Sequence, residues 1–546
     1  MLGAFAIALS ATAFAAEPEL KHLFPAAGQQ GTHVAVSIEG KAEPWPVAVW
    51  CDAPGITFRP TPVTGVFDVE IAPDATPGAH LVRLWNAEGA SAPCAFIVSR
   101  EPELRSIEPN DEVSSAQPIG TMPATFSGRL DKVGDVDCFA VTLKQGQSVV
   151  AWLESYVLGS TCDALLQIAN AEGRVLAFNH DGRNLDPLLA WQAPQDGTFI
   201  IQLMGFAHPP TSSVQLAGGK GCIYRLHVST GPVVRFTQPL AIQAGAKSTL
   251  RLAGWSLGET EIAIDATHLS AESTLPELPL ASSRSLQPIP ISAVSEKVEP
   301  EGDANVVHPI EVPSAVTGRI GVAGEEDRYT ITATKGRSYE LKLTAARVGS
   351  SLDAWLKIQS LDGKEIAKND DAAGSRDPLL IWSAPSDGPF TIAIGDVTHC
   401  GGPDFVYRLQ VTEAAPAVSG LTTSHSVTVQ PGKPAELKAV VKRTNGFKAK
   451  LQLAAKKLPA GVSAAAVDVP EKDGEVVLKL TAESAAAPAG QPFALVLTET
   501  ESGREHPVRY SLVATSEDNG VPQGYSELAV EATDQLWLTV SAEAAK

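Results

Sequence analysis

The chain has 546 residues, 44% of them hydrophobic, with 45 glycines and 40 prolines. That is too long for one core and too apolar for disorder, and the turn-forming residues suit many short strands. Its 42 basic and 62 acidic residues leave a formal charge of −20, which argues against nucleic-acid binding, because phosphate contacts need a basic surface.

Residues 2–16 form the one long apolar run. It is too short to span a bilayer and ends in the small-x-small pattern Ala13-Phe14-Ala15, so residues 1–16 are expected to be an export signal, although no basic residue precedes the run. No later segment is expected to cross a membrane. The expected location is therefore periplasmic, cell-surface or extracellular, with a protein or polysaccharide at the cell surface as the expected kind of partner. Six cysteines suit an oxidising compartment without forming a framework: Cys51 and Cys94 could pair, Cys138, Cys162 and Cys222 leave one over, and Cys400 stands alone. No CxxC spacing points to a cysteine-bound metal.

Residues 17–99 read as a small β-sandwich. The alternating Val34, Val36 and Ile38 lie between Gly31 and Gly40, and Gly245 and Gly254 repeat that nine-residue spacing around Leu250 and Leu252. This opening resembles immunoglobulin-like IPT/TIG domains of exported proteins. Residues 233–296 are expected to be a short β module that passes into linker.

Between these openings lies a stretch that the chain contains twice. Phe126-Ser127-Gly128-Arg129 answers Val316-Thr317-Gly318-Arg319. Asp186-Pro187-Leu188-Leu189-x-Trp191 answers Asp377-Pro378-Leu379-Leu380-x-Trp382, and Tyr224-Arg225-Leu226 answers Tyr407-Arg408-Leu409. Self-similarity of this length marks a duplicated module, here 100–232 and 297–414. Phe199, Ile201 and Leu203, like Phe390, Ile392 and Ile394, alternate with smaller or polar neighbours, the period of a strand with one buried face. Trp191 and Trp382 repeat within apolar runs, which predicts burial rather than a sugar-stacking platform.

Glu108-Pro109-Asn110-Asp111, then Gly134-Asp135-Val136-Asp137-Cys138-Phe139, then Ala193-Pro194-x-Asp196-Gly197-x-Phe199, resemble the bacterial pre-peptidase C-terminal (PPC) domain. That family implies a jelly-roll-like β-sandwich accompanying secreted peptidases. It also implies a calcium site in some members, on an acidic entry segment and nearby aspartates. By residue type the matching positions are Glu108, Asn110, Asp111, Asp135 and Asp137. In the second copy they are Glu299, Glu301, Asp303, Glu325 and Asp327, with departures at Gly302 and Glu325. The alternative is that these residues cap turns, and turn roles are the better reading for Asn179, His180, Asp181, Asn369, Asp370 and Asp371.

Residues 415–546 read as a further β region: Val427 and Val429, Leu437 to Val441 and Val476 to Leu480 alternate around the turn Asn445-Gly446, and Leu458-Pro459-Ala460-Gly461 resembles exported immunoglobulin-like domains. No His-Glu-x-x-His, Gly-x-Ser-x-Gly, phosphate loop or dinucleotide fingerprint is present. The expectation is thus an all-β chain of tandem β-sandwich modules, two jelly-roll-like PPC domains flanked by immunoglobulin-like domains. It is expected to be a non-enzymatic exported binding or scaffold protein, calcium-stabilised, or else an accessory region of a secreted peptidase or other hydrolase.

Overall fold

The computed structural model describes residues 16–207, 215–271, 273–275, 278, 284–300, 306–513 and 529–541. Apart from three single-turn 3-10 helices, its regular elements are strands, so the chain is all-β. The expected export signal lies almost wholly outside the described residues.

The duplication is visible strand for strand. In the first copy one sheet runs Gln117–Pro118, Asp137–Leu143, Gly197–Phe206, Asp163–Ala169, Val175–Asn179, and the other runs Leu188–Gln192, Ser148–Glu154, Ile223–Ser229, Ala124–Arg129, Glu103–Arg105. The second copy repeats both orders, from Val307–Pro309 to Glu365–Asn369 and from Leu379–Ser383 to Ser295–Val298. The inward residues of both sheets interdigitate, as two-sided packing of amphipathic sheets requires. Phe139, Ile201, Leu203, Leu226 and Val228 fill the first core; Tyr329, Ile392, Ile394, Leu409 and Val411 fill the second.

The other units are β structures of the same kind. Residues from Glu19 to Ser99 form two four-stranded sheets around Leu23, Val36, Phe67 and Phe96. The stretch after the first repeat, read as partly linker, contains paired strands as far as Ile289–Ser292 and its own cluster around Val234, Ile242, Leu250 and Ile291. The last unit packs Val429, Leu437, Leu478, Leu495 and Leu538.

The units are joined by contacts rather than strung out. Phe24 of the first lies beneath Arg105 and Arg129 of the first repeat, at 4.3 and 4.6 Å. Val150 and Trp152 of that repeat share a cluster with Val233 and Leu286, and Phe236 and Leu240 meet Val406 of the second repeat. The first and last units also touch. Arg83, fully buried, donates to the carbonyls of His425 (3.0 Å) and Gln535 (3.4 Å), and Trp537 packs on Trp50 and Trp85.

Cys51 and Cys94 flank Val82 on opposite sides, in the strands on either side of Gly78–Trp85. Two strand spacings of about 4.8 Å separate their backbones, too far for a disulfide, so that pairing is corrected. Both thiols are pushed up to about 12 by burial. Cys162 and Cys222 are buried against each other in the first core.

A candidate cation site at the head of the first repeat

The entry segment of the first repeat is fastened at both ends. Its Ser106 amide donates to the Ser127 carbonyl, and the Asn110 carbonyl accepts from Cys138 at 3.0 Å, at the head of strand Asp137–Leu143. Between these anchors the segment turns back over the strand and lays Glu108, Asn110 and Asp111 beside Asp135 and Asp137.

Each aspartate spends one oxygen on the fold. Asp135 Oδ2 accepts from the amides of Asp131 (2.5 Å) and Lys132 (3.4 Å), closing the turn whose Gly134 needs φ +87. Asp137 Oδ2 accepts from Ser106 Oγ at 3.1 Å and from the Tyr224 hydroxyl. Both residues are buried, at 1% and 0% exposure, and the second oxygen of each, Oδ1, has no hydrogen-bond partner. Glu108, Asp135 and Asp137 offer oxygens within 4.8 Å of one another. Buried carboxylate oxygens left bare are costly, so the corner is short of positive charge or of protons.

The protonation tendencies say the same. Burial pushes Asp137 up to about 7, a shift that Tyr224 opposes and that Glu108 and Asp135 reinforce. Asp135 is raised by burial and by Asp111 beside it, and Glu108 by burial first. Lys132 supplies part of the missing charge: its Nζ lies 2.6 Å from Asp111 Oδ2 and 3.6 Å from Asp135 Oδ1, and it holds Asp111 below the usual range. Asn110 Nδ2 donates to Ser106 Oγ at 3.0 Å, and that hydroxyl gives its one proton to Asp137. The Asn110 amide oxygen then faces the Glu108 carboxylate, an arrangement that a cation between them would favour. The donor set, all oxygen and mixing carboxylates with an amide, is of the kind a hard divalent cation takes.

The second repeat solves the same corner differently. Glu325 Oε2 accepts from the amides of Gly321 (2.5 Å) and Val322 (2.9 Å), the task that Asp135 performs. Asp327 Oδ2 accepts from the Tyr407 hydroxyl at 2.6 Å, and Tyr407 shares a hydrogen bond with Tyr329 at 2.7 Å, where the first copy has Phe139. Glu299, expected to stand for Glu108, stands in register with Ser106 instead: its amide donates to Thr317, the residue equivalent to Ser127. From there its carboxyl reaches Asp327 and Tyr329. Asp327 is pushed up to about 8 by burial and then by Glu299. Two facing carboxyls and two hydroxyls meet there in one hydrogen-bonded network. Glu301 and Asp303 lie outside the described residues.

A second cluster in the first repeat involves two of the residues expected to act in turns, His180 and Asp181. His180 Nε2 lies 2.8 Å from Asp163 Oδ1 and Nδ1 lies 3.2 Å from Asp181 Oδ2, while the Tyr156 hydroxyl donates to Asp163 at 3.2 Å. Asp163, seventeen residues upstream, is the member that local sequence could not supply; pairing of strands Asp163–Ala169 and Val175–Asn179 brings it in. Asn179 does act in the turn, accepting from the Leu188 amide at 2.8 Å. Trp382 is buried against Phe390, while Trp191 is half-buried against Phe199 at the same 4.7 Å ring distance.

No known family model matches the chain. A 98-residue stretch, 18% of the chain, is 32% identical to a probable subtilase-type serine protease of Deinococcus radiodurans. That stretch spans only 14% of the protease's length. Among solved structures, the PPC domain of a Bacillus anthracis collagenase is covered whole by 20% of this chain, at 11% identity and a TM-score of 0.17. PliG, a periplasmic inhibitor of g-type lysozyme from Aeromonas hydrophila, is covered whole by 22% of it, at 17% identity and a TM-score of 0.17. Scores of that size carry no functional argument. The chain is made of β-sandwich modules, and one 98-residue stretch of it is similar in sequence to part of that protease. Among the described residues no helix is long and apolar enough to cross a membrane.

Proposed function

We propose that this is an exported, non-enzymatic binding or scaffold protein in which the first repeat holds a calcium ion among Glu108, Asn110, Asp135 and Asp137, with Asp111 at the rim. The observation that carries the reading is the pair of buried oxygens without a hydrogen bond, Asp137 Oδ1 and Asp135 Oδ1, grouped with Glu108, with Lys132 Nζ 3.6 Å from the Asp135 oxygen. The duplicate supports it from the other side, since its corner satisfies its carboxylates internally through Tyr329, Tyr407 and Glu299. Such an ion would neutralise the corner and fasten the entry segment, which joins the first unit to the repeat, so its role is structural. Calorimetric titration of the full chain with calcium tests this. One bound ion per chain is expected, and no heat above dilution would leave the carboxylates as turn caps alone.

The 98-residue similarity to a probable subtilase-type protease favours a second reading, an accessory region that works beside a secreted peptidase. Recovery of a peptidase with the tagged chain from the exported fraction, abolished by competition with untagged protein, would favour it over a free-standing scaffold.

A further inference from the structure

Cys162 and Cys222, both buried thiols in the first repeat, come together across the fold and not along the chain. The Thr161 amide donates to the Gly221 carbonyl at 3.0 Å, and Ser160 Oγ donates to the same carbonyl at 3.3 Å. These bonds hold side by side the two backbones immediately before the cysteines. Thr161 Oγ1 lies 3.5 Å from Cys222 Sγ, and the two cysteine side chains hydrogen-bond to each other. Cys162 Sγ also presses on Gly205, where a Cβ would not fit.

The duplicate shows what else that place can hold. There the Ser351 amide donates to the Asp404 carbonyl at 2.9 Å and Ser350 Oγ to the same carbonyl at 3.0 Å, so Leu352 stands for Cys162 and Phe405 for Cys222. Leu352 is buried in the second core and Phe405 packs against it. One repeat fills the place with a large apolar pair, and the other puts two cysteines there. The remaining cysteine of the first repeat is set apart. Cys138 lies on the opposite face of its strand from Phe139, with its sulfur 3.4 Å from Gln202 Nε2.

We propose that Cys162 and Cys222 are the disulfide of this protein, a covalent link in the place where the second repeat has the Leu352–Phe405 pair. A disulfide needs Cα atoms about 4.4–6.8 Å apart and side chains that converge. Backbones hydrogen-bonded at the preceding residue supply the first condition, and the touching thiols supply the second. Each thiol gives up one proton, a sulfur–sulfur bond forms, and the two electrons pass to a small-molecule or protein disulfide, which is split into two thiols. Cys222 beside it, and then burial, hold the Cys162 thiol well above its ordinary range, so the folded pair reacts slowly and exchange belongs to the stage before the core closes. Leu158, just before Cys162, and Ile223, just after Cys222, both belong to the cluster of the first unit. The bond therefore ties together the two segments on which that unit rests.

Refolding the full chain from urea in a mixture of glutathione disulfide and glutathione, with chelator present, tests this independently of calcium and of export. Alkylation with iodoacetamide under denaturing conditions, then proteolysis and mass spectrometry, should find Cys162 linked to Cys222. Cys51, Cys94, Cys138 and Cys400 should carry the alkyl group. Protein refolded in reductant should melt lower than the oxidised protein, because the link constrains the unfolded chain. Cys162→Ala combined with Cys222→Ala should remove that difference, and Cys138→Ala should keep it. Alkylation of both Cys162 and Cys222 in the oxidant-refolded parent, or a link from either to another cysteine, would overturn the assignment, and that mapping needs no variant to fold.

Discussion

Ser106 and Glu299 occupy the same place in the two repeats. The Ser106 amide donates to Ser127 at 3.1 Å and the Glu299 amide to Thr317 at 2.9 Å, and each side chain turns toward the buried aspartate of its repeat, Asp137 or Asp327. A hydroxyl there gives its aspartate one hydrogen bond and no charge relief. A carboxyl there brings a second acid that can share a proton. The first corner keeps two buried carboxylate oxygens without a hydrogen-bond donor, whereas in the second Glu299 reaches Asp327.

Without metal, both aspartates should make stability fall as pH rises. Asp137 is raised to about 7 and Asp327 to about 8 when folded, against an ordinary aspartate near 4 when unfolded. Between those limits the native state binds more protons than the unfolded state, so their contribution is full below about pH 4 and lost through about 7 and 8 respectively. Urea unfolding in chelator across pH 4–9 should show this decline. Asp327→Asn should flatten its upper part, and an unchanged pH profile for that variant would refute the shifted group.

Calcium should reverse the trend for the first repeat. Binding must displace the proton from Asp137, so affinity should rise with pH and level off above about 7. Asp137→Asn keeps an acceptor for the Tyr224 hydroxyl and removes the buried charge. It should abolish the calcium-induced rise in melting temperature while leaving the metal-free protein at pH 8 as stable as the parent or more so. A variant that melts much lower in chelator and still responds to calcium would place the ion elsewhere.

Much of this arrangement could be read from the residues. The period of two at Phe199–Leu203 and Phe390–Ile394 and the duplicated Asp-Pro-Leu-Leu-x-Trp block gave the sandwich strands, because alternation reports one buried face directly. The Glu-Pro identity of Glu108-Pro109 and Glu299-Pro300 misled, since register is fixed by pairing with Ala124–Arg129 and Ser314–Arg319 and not by local likeness. Asp163 beside His180, and Arg83 beneath His425, depend on contacts across 17 and 342 residues, which no local pattern encodes.

The repeated tryptophans differ in burial and should differ in cost. Trp382→Ala should destabilise its repeat by about 3–5 kcal/mol, the range for deleting a large buried aromatic. Trp191→Ala should cost visibly less, because Trp191 is only partly buried beside its equivalent aromatic partner. Denaturant unfolding of the two variants measures both, and equal losses would contradict the difference in packing.

The first repeat shares its core with the unit before it. Leu158 and Ile223 belong to the cluster built on Leu23, Val36 and Phe96, so cutting at residue 100 exposes both. Fragment 17–232 should unfold in one transition at a higher temperature than fragment 101–232. Fragment 297–414 should fold alone on its own closed core. Calorimetric scans of the three fragments decide this; a fragment 101–232 that melts as high as 17–232 would show that the shared cluster adds nothing.

The seam between the first and last units rests on Arg83. Its guanidinium is buried, is held below its usual range by loss of water, lies 5.2 Å over the Trp50 ring and donates to the carbonyls of His425 and Gln535. His425 beside it is pushed down to about 4 by burial and by Arg83, so it stays neutral and adds no second charge. Removing the arginine leaves two carbonyls short of a donor and opens a gap under Trp50 and Trp537, at about 1–3 kcal/mol for each unsatisfied group. Arg83→Met refills part of the volume without the hydrogen bonds, and should cost less than Arg83→Ala, yet still loosen the seam. Hydrogen exchange should then speed up in strands Ser426–Val429 and Leu536–Val540, which lie against it, and stay unchanged in Ala354–Gln359 of the second repeat. Uniform acceleration throughout the chain would mean that Arg83 supports the first unit's own fold instead of the closure between the two ends.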